Sequence, residues 1–301
     1  MKKAKSIPRL YNPRESRLAW IFITPYLIGY TLFHFLPLVI SFFMSFTDLK
    51  YISKLDSVEF VGLNNYIEIF SDDMFKKSML NSMLFTLMYV PLILIIGLVL
   101  AVLVNKNLYV RNLIRSMLFM PYVSNMVAVA VVWSILLDPI SGPINMFLRA
   151  VGIKDVPMWL MSSDSALFTV TIIAVWQGVG LQFVTYLAAL QNVPLELKEA
   201  ASIDGANKRQ IFFHVTLPCI MPTTFLLTIT STIGSLKNFT IIQVMTAGGP
   251  GNATTVLPLN IVNTAFSTMR MGYASAQAMV MFAIVMAITA VQWKLQKKYS
   301  N

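Results

Sequence analysis

Six stretches of this sequence, each of 22 residues or more, contain no Asp, Glu, Lys or Arg: 18–47, 78–105, 116–137, 165–195, 210–236 and 271–293. About 20 predominantly apolar residues suffice for a helix to cross the hydrocarbon of a bilayer. In that medium every backbone amide and carbonyl needs a partner within its own segment, which a helix provides. The expected fold class is therefore all-α, a polytopic membrane protein with six transmembrane helices. Composition agrees: 56% of the 301 residues are hydrophobic and 12% are charged, against about 25% charged in a soluble domain. A seventh charge-free stretch, 238–269, is interrupted by Gly248, Gly249, Pro250 and Gly251. The pieces on either side are too short to span, so a loop with short surface or re-entrant pieces is expected there.

Six spans place both termini on one side. The segments on that side, 1–17, 106–115, 191–209 and 294–301, hold fifteen Lys or Arg, and the opposite segments hold eight. Basic residues favour the cytoplasmic face, so both termini are expected in the cytoplasm. The outer loop 48–77 is acidic on balance, which fits the opposite side. The formal charge is +10, but the basic residues cluster at the ends of apolar runs, as topology signals do, and no nucleic-acid partner is expected. The first apolar run follows a basic segment, as a signal peptide would. It is too long for the roughly 7–15 residue core of such a peptide, and no small-x-small cleavage site follows, so it is read as an uncleaved span. The resulting division is a cytoplasmic segment 1–17, a six-helix membrane domain 18–294 and a cytoplasmic tail 295–301.

Several chemistries are excluded. No GxxxxGK[ST] phosphate loop occurs, so the chain is not expected to bind ATP in that way. There is no HExxH motif, and the two histidines, His34 and His214, lie far apart. Cys219 is the one cysteine, which rules out an intrachain disulfide and a thiolate metal site. No metal, cofactor or catalytic residue is expected. Carriers driven by a proton or sodium gradient usually hold acidic residues at bilayer depth, and none stands within these spans. Energy for transport then comes from another chain, or the protein is a passive channel.

The segment joining the fourth and fifth spans, 191–218, is more than a plain connector. Pro194 can start a helix, and Glu196 and Glu199 in its early turns suit the positive end of the helix dipole. Ala200, Ala201 and Ile203 give it an apolar face. Asp204 and Gly205 break it, since Gly allows the left-handed geometry of a tight C-terminal cap. A second helix is expected from Ala206 to Val215, with Leu217 and Pro218 leading into the fifth span. The small residues permit close approach by a partner protein; an amphipathic connector lying on the headgroups fits the same residues.

Polar residues inside apolar spans tend to face a cavity or a neighbouring helix. Ser231, Ser235 and Asn238 fall at i, i+4 and i+7, on one helix face. Gln177, Gly178 and Gln182 stand in the fourth span, and Tyr122 follows Pro121 in the third, with Asn125 one turn on. Amide, hydroxyl and aromatic groups are what a sugar requires. The same side chains also serve as interhelical hydrogen-bonding groups, and Lys237 beside Asn238 suits either an anionic ligand or a lipid headgroup.

The run from Glu199 to Pro218 resembles the coupling loop of ABC importer permeases: Glu-Ala-Ala, three residues, Gly, nine residues, Ile-x-Leu-Pro. Glu199, Ala200, Ala201, Gly205, Leu217 and Pro218 match, and Val215 replaces the usual Ile. The strings FVGLNNY (60–66), MPYVSN (120–125), WQGVG (176–180), LQNVP (190–194) and MTAGGPGN (245–252) are similar to those of the maltose-type carbohydrate permeases, first subunit type. The resemblance implies a permease that pairs with a second, similar permease, two copies of an ABC ATPase and an extracytoplasmic sugar-binding protein. Under it, Glu199, Ala200, Ala201, Asp204, Gly205, Ala206 and Pro218 contact the ATPase. Tyr122, Gln177, Gly178, Ser231, Ser235 and Asn238 line the sugar pathway.

Overall fold

The computed structural model describes residues 13–52, 58–105 and 111–299. The basic segment 1–12 and the connector 106–110, both used above for orientation, lie outside the described residues. Among the described residues the chain is helical, with one isolated antiparallel bridge, Thr47 to Phe60.

The first apolar stretch forms α1 (Pro13–Tyr30) and α2 (Leu36–Met44), joined by a π-helical turn at Thr31–Phe35. His34 sits in that turn with its ring stacked on Tyr30. None of the apolar window of this rod is buried against the rest of the chain. The loop after α2 folds back: Val61 N donates to Phe46 O, and the Asn65 side chain donates to the carbonyls of Ser45 and Thr47. The FVGLNNY string thus fastens the short α3 (Asn64–Ser71) to the end of the first span.

α4 (Asp73–Val104) opens with Asp72 Oδ1 accepting from Met74 N and Phe75 N, satisfying amides that have no intrahelical partner. α5 (Arg111–Val123) and α6 (Met126–Leu136) come from the third apolar stretch. They meet at 95°, so this stretch is bent sharply and is not the straight helix its composition suggests. Asn125 has extended backbone, and its Oδ1 accepts from Val127 N and Ala128 N. It therefore starts a new helix where one more turn of the old one was expected. α7 (Pro143–Ala150) lies in the next connector, and α8 (Ala166–Gln191) is the most enclosed span, with 67% of its apolar window buried.

α9 (Leu195–Ile203) precedes the turn at Asp204–Gly205. The separate second helix expected from Ala206 to Val215 is not separate. α10 (Lys208–Ile211), a π-turn at Phe212–Thr216 and α11 (Leu217–Leu236) form one continuous 29-residue rod, Lys208–Leu236. Pro218 falls in the first turn of α11, where its missing N–H costs nothing extra because the π-turn has already altered the ladder.

The glycine-interrupted stretch 238–269 contains α12 (Thr240–Met245), α13 (Leu257–Val262) and a π-turn at Asn263–Ser267. These pieces are not on the surface. Ile241, Ile242, Val256 and Leu259 are buried in one cluster with Phe85, Ala130, Val170 and Ile173. The chain ends in α14 (Met271–Tyr299). A second cluster joins Ala101 and Val104 of α4, Phe183, Tyr186 and Leu190 of α8, and Ile220 and Leu227 of α11. Contact between α4 and α8 is close at Gly97, where an added Cβ would lie 2.7 Å from Gln182 Cβ.

Candidate functional site

Between α4, α5, α8 and α11 lies a cavity of about 370 Å³. Five of the six residues singled out for the pathway line it: Tyr122, Gln177, Gly178, Ser231 and Asn238. Gln177 and Ser231 are 7% and 5% exposed, so they open onto this space and not onto lipid. Ser235 is placed differently. It is buried, and its hydroxyl donates to Thr86 Oγ1 at 3.0 Å and to Thr232 O at 2.9 Å, bridging α11 to α4. The i, i+4, i+7 face is wider than the cavity mouth, and Ser235 falls on its α4 edge.

Gly178 has a steric role. A Cβ there would come within 2.7 Å of Tyr89 Oη and 3.1 Å of Ile93 Cδ1. The missing side chain is what lets the Tyr89 hydroxyl lie against α8. Tyr89 itself was not singled out in the sequence. It stands in a long apolar run, and only its phenol marks it; in the structure it stacks on Phe85 at 5.6 Å and joins the cavity wall. Gln182 donates from Nε2 to Ser231 Oγ at 3.1 Å, while its buried Oε1 has no partner. Lys237 lies in the lining as well, one residue past the end of α11. The wall thus offers amides, hydroxyls, tyrosine rings and one ammonium, but no carboxylate. Among the described residues no group of three or more His, Cys, Asp or Glu is placed to hold a metal ion.

A second candidate surface lies at the opposite end of α11's rod. α9 is largely exposed, and Glu199, Ala200, Asp204 and Gly205 are all exposed, with Ala201 and Ala206 half-buried. Gly205 has φ +84°, with Gly205 N donating to Ser202 O and Ala206 N donating to Ala201 O. This is the left-handed closure that Gly favours at a helix end. Asn207 then caps the next rod reciprocally with Gln210. Ile203, read from sequence as part of the helix's apolar face, is 86% exposed. Leu195 and Leu197 are also exposed, so the apolar side of α9 faces away from its own chain.

Residues 93–300 match the family model described as a binding-protein-dependent transport system inner membrane component. The chain is 35% identical over 299 residues to the probable ABC transporter permease protein YesP of Bacillus subtilis, covering 98% of this chain and 93% of the relative. It is 31% identical over 279 residues to the probable starch degradation products transport system permease protein AmyD of Thermoanaerobacterium thermosulfurigenes, covering 93% and 94%. Its fold matches a chain of a bacterial ABC transporter involved in import of the acidic polysaccharide alginate, with a TM-score of 0.82 at 20% identity, covering 96% of this chain and 98% of the other. The chain therefore belongs to the family of binding-protein-dependent transport system inner membrane components.

Proposed function

We propose that this protein is one permease subunit of an ATP-binding-cassette importer that takes up a sugar or oligosaccharide. It supplies half of the pathway, and a second, similar permease supplies the other half. The assembly holds two copies of an ATPase, one of which docks on the turn around Gly205, and an extracytoplasmic binding protein delivers the substrate. The chain sits in the cell membrane of a bacterium or archaeon, with both termini in the cytoplasm. Relatives named for starch degradation products and for alginate support a carbohydrate cargo without choosing among carbohydrates.

One observation carries the reading. The rod Lys208–Leu236 bears the exposed turn at one end and the cavity residues Ser231, Lys237 and Asn238 at the other. At 1.5 Å per residue it is about 43 Å long. A displacement of the turn by a partner that hydrolyses ATP would move the cavity wall as part of the same rigid body, which is what coupling requires.

The account predicts that the chain is inert alone. In liposomes by itself it neither hydrolyses ATP nor accumulates sugar. With its second permease, ATPase and binding protein it accumulates sugar only when ATP is present on the ATPase side. Accumulation by the isolated chain under a proton or sodium gradient would overturn the proposal.

A further inference from the structure

We propose that Gln292 of α14, which is not part of the cavity wall, is a positioning residue for transport. It sets the rotation of α11 about its own axis, and so the face that α11 turns to the sugar. This rests on the permease reading above. α11 gives the cavity Thr230, Ser231 and Gly234, and the chain just past its end gives Lys237 and Asn238. No residue of α14 lines that space. Gln292 reaches α11 from elsewhere, donating from Nε2 to Thr232 Oγ1 at 3.0 Å. Gly234 and Thr232 are two residues apart in the chain, which places them about 160° apart round the helix. The bond from α14 therefore holds α11 from behind its cavity face.

Three neighbours hold α11 at this level. Gln182 of α8 donates to Ser231 Oγ at 3.1 Å, Gln292 of α14 donates to Thr232, and Ser235 donates to Thr86 Oγ1 of α4 at 3.0 Å. Ser231 and Thr232 are adjacent, about 100° apart on the helix. One such bond leaves a helix free to turn about the point it fixes, and bonds from two sides do not. Apolar packing is non-directional, whereas a hydrogen bond weakens steeply off its axis. Thr232 is 5% exposed, and its own hydroxyl donates to Thr228 O at 2.7 Å. With its proton committed, the Thr232 oxygen only accepts, so the amide nitrogen of Gln292 matches it and the amide oxygen does not.

Stability alone does not account for this glutamine. Its Oε1 is buried with no partner, and an unmatched buried acceptor costs about as much as a neutral hydrogen bond returns. A methionine would fill similar space with no amide to satisfy. What only the amide supplies is direction at Thr232.

The test uses the complete importer in proteoliposomes, with both permeases, the ATPases and the binding protein. The sugar followed is the component that the wild-type importer takes up from a mixed oligosaccharide digest of starch and alginate, identified by mass spectrometry. Uptake and ATP hydrolysis are measured on the same assembled importers, and their ratio is taken. Gln292→Met should lower the sugar moved per ATP roughly three- to tenfold, the factor that an interhelical hydrogen bond in a membrane is worth. ATP hydrolysis and membrane abundance should stay near wild type. Thr232→Val should give the same loss, and the double variant no more than either alone. Thr232→Ser keeps the acceptor and should keep the ratio. A wild-type ratio in Gln292→Met and Thr232→Val overturns the proposal. So does lower abundance with the ratio unchanged, which would make the bond a structural brace, and so do losses that add in the double variant. All three leave the permease reading standing. No ATP-dependent uptake of any component by the wild type overturns both.

Discussion

Of the turns built on a glycine at positive φ, those at Gly205 and Gly248 have opposite surroundings. At Gly205, φ +84°, an added Cβ would meet nothing within 4 Å. At Gly248, φ +89°, it would overlap Thr255 Oγ1. The Gly248 turn is fastened to its own chain. Gly248 O accepts from Thr254 N and Thr255 Oγ1, Gly249 O accepts from Thr254 Oγ1, and Thr254 and Thr255 are 0% and 2% exposed. α4 adds the Asn81 side chain, which donates to the carbonyls of Asn252 and Thr255, and Lys77, which donates to Gly251 O. The Gly205 turn has no such partners beyond its own few residues. The same backbone device therefore stands in two settings: one turn closes the fold on itself, and the other is left exposed.

This contrast orders the expected effects. The largest loss of stability should follow Gly248→Val, which combines left-handed strain with a steric overlap inside a filled site. Roughly 3–5 kcal/mol is expected from the two together, read as a collapse of membrane abundance and of the melting temperature in detergent. Near-wild-type stability would mean that the Gly248 turn is looser than its hydrogen bonds imply. Asn81→Leu should cost less, about 1–3 kcal/mol, because it leaves the buried Thr255 carbonyl and the partly buried Asn252 carbonyl without this donor while keeping the side-chain volume. A change within 0.5 kcal/mol would show that water replaces the amide and that the loop is not held from α4.

Much of this was legible in the sequence. An apolar, charge-free run of 22 residues or more with no Gly-Gly-Pro-Gly interruption marks a candidate span, so the positions of the six apolar stretches follow directly. The Asp204–Gly205 turn was legible because the signal is local: acidic residues, small residues and then Gly, within ten positions. The break at Asn125 was not, because a single Asn in an apolar run serves equally as a buried polar group or as a cap. Burial of 238–269 was hidden for a different reason. Its partners Asn81 and Ser82 lie more than 170 positions away, and no periodicity encodes that pairing. In the cavity, side-chain chemistry pointed to Tyr122, Gln177, Ser231 and Asn238. Ser235 and Tyr89 were assigned by packing, through Thr86 and through the space left by Gly178.

The central claim is that the turn at Gly205 transmits work from an ATPase to the cavity along one helix. Gly205→Val tests it most directly, because the site is exposed and its Cβ has room. Only the backbone angle resists, at a cost of about 1–2 kcal/mol, so the helices should still insert. The measurement is ATP hydrolysis by the assembled importer, with and without loaded binding protein, alongside co-purification of the ATPase and membrane abundance of the variant. The account predicts near-normal abundance, with loss either of substrate-stimulated hydrolysis or of the ATPase from the complex. Full stimulation and normal uptake in Gly205→Val would contradict it and reduce the segment to a connector.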